Sequence, residues 1–166
     1  ACSSTKNGKI GVIGTSATIR SGSFAKAIKT IRPGTSVYGN ACPLFVHLVE
    51  NGYTDRDNKV TKLVAEEYLA PIKAEGVDTL ILGCTHYPLL EDIIADYMGD
   101  SVTLISSGRE AAKYAEMCLM ERDLLTDRTE KGTNKFYVSD SIELFEENAR
   151  HFLRSEVVGD VFSSNE

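Results

Sequence analysis

The sequence predicts an α/β fold with a doubly wound, mostly parallel sheet, followed by a short C-terminal strand-helix unit. Short apolar or β-branched segments alternate with amphipathic helical segments four times along the chain. This alternation is typical of parallel strands joined by right-handed crossovers. The strand segments are apolar throughout rather than at every second residue, which indicates a sheet covered on both faces.

The individual elements follow from local patterns. The predicted strands cover residues 9–15, 36–41, 79–84, 102–106 and 135–139. Apolar residues at helical spacing predict helices over about 24–31, 60–72, 90–97, 110–119 and 142–152. Cys118 falls on the inner face of the fourth helix and is expected in the core. The polar segment 123–134 predicts a long connection or hinge before the last unit.

The domain organisation follows from these elements. We expect residues 8–107 to form one lobe, and residues 108–166 to form a helix-strand-helix unit of a different lobe. The chain has no initiator Met, and a strand begins almost at its first residue. We therefore expect an excised or processed chain.

Composition excludes several classes of protein. The chain has 166 residues, 42% of them apolar and 25% charged, as in ordinary globular proteins. A net charge of −6 argues against a nucleic-acid partner, because such proteins need clustered Lys and Arg. No apolar stretch approaches the length of a membrane span. The four cysteines show neither CxxC spacing nor the density of a disulfide scaffold, which favours a reducing cytoplasm.

The most informative segment reads GCTHYPLL at residues 83–90, directly after an apolar strand. Open α/β sheets bind ligands at the carboxyl ends of their strands, where Cys84, Thr85 and His86 are placed. A helix start after the loop would favour the thiolate of Cys84, and His86 could hold its proton. The alternative is that Cys84 is a small buried apolar residue and His86 an ordinary loop residue.

Other candidates are less specific. For Cys42 we favour packing beneath the same loop. Glu50 is either a solvated helix end or a carboxylate that orients His86, and sequence spacing alone does not decide between them. Thr15 and Thr18 stand at a helix start suited to a carboxylate ligand. The sequence has no GxGxxG or Walker loop and no cluster with metal-ligand spacing.

These residues resemble glutamate racemases, the cofactor-independent enzymes of the aspartate/glutamate racemase superfamily. The motif at 83–90 looks like the family's second catalytic cysteine motif, and CPLFVHLVE at 42–50 looks like its glutamate-bearing segment. The segments at 9–19 and 136–140 resemble the opening strand of its second lobe and a strand near its carboxyl end. The resemblance implies that one thiol takes the α-proton of glutamate and a second thiol, on the opposite face, returns a proton with inversion.

The resemblance also implies roles for single residues. Cys84 matches the thiol of the second lobe, Thr85 and His86 match groups that contact the substrate or tune that thiol, and Glu50 matches the acid that pairs with the histidine. Thr15 and Thr18 are expected to line the same cleft. No cofactor, metal or membrane partner is implied. The family's product, D-glutamate, supplies the peptidoglycan of the bacterial cell wall, which implies a cytoplasmic protein.

This sequence departs from the family pattern in one large respect. The Asp-Ser-Gly and Ala-Cys-Asn-Thr motifs of the family's first lobe are not present. We therefore expect half of a racemase, catalytically incomplete alone and prone to self-association through its exposed cleft face. Three alternatives stay open: a flavodoxin-like binding or interaction module without catalysis, half of a racemase for aspartate or another amino acid, and, last, a cysteine hydrolase.

Overall fold

The structure is a computed structural model that describes residues 1–153 and 159–164. Its strands are β1 (Lys9–Gly14), β2 (Ser36–Ala41), β3 (Thr79–Leu82), β4 (Thr103–Ser106), β5 (Lys135–Val138) and β6 (Asp160–Ser163). Its helices are α1 (Ser16–Ser21), α2 (Ser23–Ile31), α3 (Leu44–Glu50), α4 (Lys59–Ala74), α5 (Glu91–Met98), α6 (Ser107–Glu121) and α7 (Ile142–Leu153). A 3-10 helix, Tyr87–Leu90, leads into α5. The chain divides into two compact units, residues 1–117 and 118–166.

The first unit contains a four-stranded parallel sheet in the order β2-β1-β3-β4. The predicted fold class is therefore confirmed. Every residue of β3, and every residue of β1 after Lys9, is buried, because layers on both faces cover the two central strands. On one face Ile10, Val12 and Ile81 form a core cluster with Ile28 of α2.

The five predicted strands are confirmed, with ends that differ by at most two residues from the sequence prediction. The predicted first helix is preceded by a separate short helix, α1, because Gly22 adopts φ 63° and ends it. Strand β6 was not predicted. The expectation for Cys118 was wrong: this cysteine is half-buried, and α6 contains no buried residue.

The second unit contains a two-stranded parallel sheet, in which Lys135 pairs with Asp160 and Val138 with Ser163. Phe136 packs against Phe145 of α7, with ring centroids 5.5 Å apart. The segment 123–134 contains no helix or strand, as predicted for a connection. The boundary between the two units falls within α6, and the return of the second unit to another lobe stays a prediction. In the described part of the chain, no helix is long and apolar enough to cross a membrane.

Asp78, just before β3, holds the segment that precedes β1. Its Oδ2 accepts hydrogen bonds from the backbone N–H groups of Lys6 and Asn7, both at 2.7 Å, and its Oδ1 accepts one from the Thr79 hydroxyl at 3.0 Å. Desolvation raises the pKa of Asp78, but hydrogen bonds from Thr5, Asn7, Lys6 and Thr79 outweigh it and lower the pKa to about 2.

We expect Asp78→Asn to lower the free energy of unfolding at neutral pH by about 1–2 kcal/mol, because the amide replaces a charged acceptor. A folded-state pKa of about 2, below the ordinary 3.8, means that this stabilisation is present above pH 3.8 and lost as pH falls toward 2. In urea unfolding, the difference in the free energy of unfolding between wild type and variant should therefore shrink over that pH range. A gap that stays constant with pH would contradict the assignment. Asp100→Asn, on an exposed carboxylate, is the control.

Candidate active site

The candidate site lies at the carboxyl edge of the four-stranded sheet. From β1 the chain passes to β2 on one side and later returns to β3 on the other, so the strand order reverses between β1 and β3. Such a switch point leaves a crevice at the strand ends, where α/β proteins bind ligands. Thr15 follows β1, and Gly83 and Cys84 follow β3. The sequence-predicted residues of these two segments therefore share one edge.

The loop after β3 begins with a close approach of two backbones. The Gly83 N–H donates to the carbonyl oxygen of Ile13 at 2.8 Å, and a Cβ at Gly83 would lie 2.8 Å from that same oxygen. Only glycine fits this position without displacing β1 or the loop. The loop then closes through a hydrogen bond from the Tyr87 N–H to the Cys84 carbonyl oxygen at 3.3 Å. Cys84 is half-buried at the start of this turn.

His86 contacts three of the other candidate residues. Its Nε2 lies 3.1 Å from Glu50 Oε1, and its Nδ1 lies 3.7 Å from Cys84 Sγ and 3.4 Å from Thr85 Oγ1. A carboxylate accepts but does not donate, so the contact with Glu50 favours the imidazole tautomer with its hydrogen on Nε2. Nδ1 is then an acceptor and faces the thiol. The arrangement can take a proton from Cys84.

Glu50 reaches His86 from α3, 36 positions earlier in the chain. It is the last residue of that helix, whose buried face contains the fully buried Phe45 and Val49. The side chains of Glu50 and His86 are 40% and 20% exposed, so the hydrogen bond between them is partly shielded from solvent. Of the two interpretations of Glu50, the structure supports contact with His86 at the site.

Thr15 and Thr18 line the adjoining end of β1. Thr15 caps α1 by accepting a hydrogen bond from the Thr18 N–H at 3.3 Å, and the two hydroxyl oxygens are 3.0 Å apart. Gly14 lies beside the cysteine loop, since a Cβ on Gly14 would be 3.6 Å from the Gly83 carbonyl oxygen. The structure thus places both threonines at the same edge as the cysteine loop.

Helix geometry around Cys84 differs from the expectation. Helix α5 does not start directly after the loop but at Glu91, beyond the 3-10 helix, and its first turn contains Glu91 and Asp92. The influence of a helix dipole falls off within one turn. His86, rather than the N-terminus of α5, is therefore the group that the structure places against the Cys84 thiol.

Sequence reasoning missed Tyr87. Its side chain is fully buried beneath the site, and its hydroxyl donates to the Cys42 carbonyl oxygen at 2.8 Å. Burial, with smaller contributions from Cys42, Cys84 and Tyr68, raises the pKa of Tyr87 well above its usual value, so the phenol stays a hydrogen-bond donor. Its position inside the motif was the available signal, but its partner is a backbone group 45 residues away.

The other cysteines of the first unit are not placed to meet a substrate. Cys42 is fully buried, as predicted, and burial raises the pKa of its thiol to about 12. Cys2 Sγ faces the Ile28 carbonyl oxygen, and Arg32 donates to the Cys2 carbonyl oxygen, near the carboxyl end of α2. That end of α2 precedes the start of β2, at the sheet edge opposite to Cys84. Among the residues described, no three His, Cys, Asp or Glu side chains are grouped to hold a metal ion.

Comparison with known proteins shows which family this chain resembles. The family model for Asp/Glu/Hydantoin racemases matches residues 1–115. Among curated proteins, the glutamate racemase of Geobacter metallireducens is 45% identical over 95% of this chain, and that of Chlorobaculum tepidum is 44% identical over 92%. The chain spans 57% and 56% of those two relatives, a little more than half of their lengths.

Solved structures agree with this similarity. A glutamate racemase from Bacillus anthracis superimposes with a TM-score of 0.89 and 37% identity, covering 98% of this chain and 60% of that one. A glutamate racemase from Francisella tularensis in complex with D-glutamate gives a TM-score of 0.84 and 35% identity, covering 94% of this chain and 57% of that one.

Proposed function

Because the chain belongs to the Asp/Glu/Hydantoin racemase family, we propose that it supplies one proton-transfer side of a glutamate racemase site. The observation that supports this most directly is the series of contacts from Glu50 through His86 to Cys84. Glutamate is the proposed substrate because the relatives described above are named glutamate racemases, and one solved relative is in complex with D-glutamate.

In the proposed reaction Cys84 is the base on one face of the α-carbon. Glu50 holds the Nε2 hydrogen of His86, so Nδ1 accepts the thiol proton of Cys84. The thiolate then takes the α-proton: an S–H bond forms as the Cα–H bond breaks, and the electron pair stays on the α-carbon and its carboxylate. In the reverse direction the same thiol returns the proton.

We propose that the hydroxyls of Thr15, Thr18 and Thr85 bind the polar groups of the substrate. Thr85 is exposed and adjoins both Cys84 and His86. Thr15 and Thr18 approach from the end of β1. Binding from both strand ends would hold the α-carbon next to the sulfur, and such positioning supplies a large part of catalysis.

Inversion needs a second proton carrier on the opposite face of the α-carbon. Cys42 is buried with a raised pKa and Cys2 lies at the other edge of the sheet, so neither serves. We therefore propose that the second carrier comes from a lobe that this chain does not contain, as the two-thiol mechanism of the family implies. The chain alone is then expected to exchange the α-proton but to racemise glutamate slowly or not at all. The D-glutamate made by the complete site would serve cell-wall synthesis in the bacterial cytoplasm.

Proton exchange tests this proposal. In deuterated water, proton NMR of separate L- and D-glutamate samples should show the α-proton signal of one enantiomer fading slowly in the presence of this chain, and chiral chromatography should detect none of the other enantiomer. D- and L-aspartate are the comparison substrates and should exchange less. Exchange of both enantiomers with inversion would place both proton carriers in this chain. No exchange of either enantiomer would contradict Cys84 as a base.

One observation favours the alternative of an interaction module. Helix α6 exposes Tyr114, Met117, Leu119 and Met120, and large apolar side chains on a helix surface are typical of contact with another polypeptide. Self-association through such surfaces is compatible with either function. The exchange experiment separates them, because a module without catalysis leaves the α-proton of both enantiomers in place.

A further inference from the structure

The contact between Glu50 and His86 connects two segments that follow strands not directly paired with each other. Glu50 belongs to α3, which follows β2, and His86 belongs to the loop that follows β3. In the sheet, β1 lies between β2 and β3, so no ladder hydrogen bonds link the strands that precede these segments. Contacts outside the sheet therefore contribute to setting the distance between the carboxylate and the imidazole.

Tyr87 makes such a contact. It is the residue directly after His86, and its hydroxyl donates to the Cys42 carbonyl oxygen at 2.8 Å. The same carbonyl accepts the Phe45 N–H at 3.2 Å, at the start of α3. One buried oxygen therefore connects the cysteine loop to the first turn of the helix that ends at Glu50. Because Tyr87 is fully buried, water does not compete for this hydrogen bond.

The ring of Tyr87 also packs against α3. Phe45 packs edge-on against Tyr87, with ring centroids 5.3 Å apart at 87°, and against Tyr68, at 5.4 Å and 79°. Edge-to-face packing constrains both the distance and the direction of the rings. Phe45 and Val49 lie four residues apart on the buried face of α3. Holding Phe45 therefore sets the rotation of the helix and the direction in which Glu50 points.

We propose that Tyr87 is a positioning residue that sets the contact between Glu50 and His86 through its hydrogen bond to Cys42 and its ring contact with Phe45. The catalytic consequence rests on the proposed function, whereas the structural consequence does not. Tyr87 touches no reacting atom. It acts on the site by holding the loop of His86 against the helix of Glu50.

The test is Tyr87→Phe, which removes the hydroxyl and keeps the ring. Long-range ¹H–¹⁵N NMR of the full chain reads the tautomer of His86, assigned with a His86→Asn sample. We expect the ratio of the Nε2–H to the Nδ1–H form to fall by about fivefold, as for the loss of one ordinary hydrogen bond. Tyr68→Phe is the matched control, because Tyr68 also packs edge-on against Phe45 and its hydroxyl accepts the Leu44 N–H of α3 at 3.4 Å, but Tyr68 is not part of the cysteine loop. It should leave the ratio unchanged.

A second variant tests the same inference if Tyr87→Phe does not fold. Phe45→Leu keeps the phenol and weakens the ring contact between the same two segments, so it should shift the tautomer ratio in the same direction. An unchanged ratio in a folded Tyr87→Phe protein would overturn the inference. So would an equal change in Tyr68→Phe, which would indicate a general effect of the aromatic cluster.

Exchange kinetics separate this inference from the proposed function. If both hold, Tyr87→Phe lowers the α-proton exchange rate by about fivefold, while KM for glutamate stays within about twofold. A shifted tautomer with an unchanged exchange rate supports the positioning role and contradicts the use of the contact in catalysis. If the wild-type chain exchanges no proton, the proposed function fails, and the NMR measurement alone still decides on Tyr87.

Discussion

Replacing Cys84 by alanine is expected to lower the rate of α-proton exchange from glutamate by about 10²–10⁴-fold, the usual contribution of a positioned proton-transfer group. The sulfur is the only group in the GCTHYPLL loop that the proposal places against the α-carbon, and His86 is 3.7 Å behind it. Proton NMR in deuterated water gives the rate directly. Binding of glutamate should change little, because the alanine variant keeps the hydroxyls of Thr15, Thr18 and Thr85.

Cys2→Ser is the control for this experiment. It also removes one thiol, but Cys2 faces the Ile28 carbonyl oxygen at the opposite edge of the sheet. It should retain the wild-type exchange rate. If Cys84→Ala keeps that rate and Cys2→Ser loses it, the proposed site is wrong. Circular dichroism of both variants checks that each chain is folded.

Gly83→Ala is expected to lower the free energy of unfolding by about 1–3 kcal/mol, the usual cost of overpacking. Its Cβ would lie 2.8 Å from the Ile13 carbonyl oxygen and 3.1 Å from Phe24 Cε2. The first of these atoms belongs to the backbone of the central strand and has little room to move. The loop must therefore shift away from β1 and take Cys84 with it, so the exchange rate should fall as well.

Urea denaturation measures the effect, and Gly39→Ala is the matched control. A Cβ at Gly39 would meet Ile19 Cγ2 at 3.5 Å, an ordinary contact distance. Gly39 lies in β2 of the same sheet, whereas Gly83 directly follows β3, and neither glycine has a positive φ, so the backbone accepts alanine at both positions. Equal stability of the two alanine variants would contradict the close approach at Gly83.

The strands and most helices could be predicted because their signals are local. Apolar β-branched runs and helical spacing lie within single segments, so the five strands were found. Strand β6 was not predicted because it is only four residues long and forms by pairing with Lys135–Val138, more than twenty positions earlier. Cys118 was misplaced because an apolar face on α6 predicts burial only where another element covers it.

The site was predictable in its residues but not in its contacts. The motif at 83–90 predicted Cys84, Thr85 and His86, whereas for Glu50 the sequence left two roles open and the resemblance favoured pairing with His86. Whether Glu50 reaches His86 depends on how α3 is seated 36 residues away, which no local pattern encodes. The contact of Tyr87 could not be predicted for a further reason. Its partner is a main-chain carbonyl, which every residue of the chain possesses.

The strand order has a consequence for how the chain folds. The central strand β1 comes first in the sequence, but its two neighbours follow much later: Ile10 pairs with Val37 on one side and with Thr79 on the other. In a nascent or refolding chain, the apolar strand β1 therefore has an unpaired edge until β3 has formed. Such long-range parallel pairing is slow, and the waiting strand is a template for pairing with other chains. We therefore expect the yield on refolding to fall as the protein concentration rises, whatever the stability of the finished sheet.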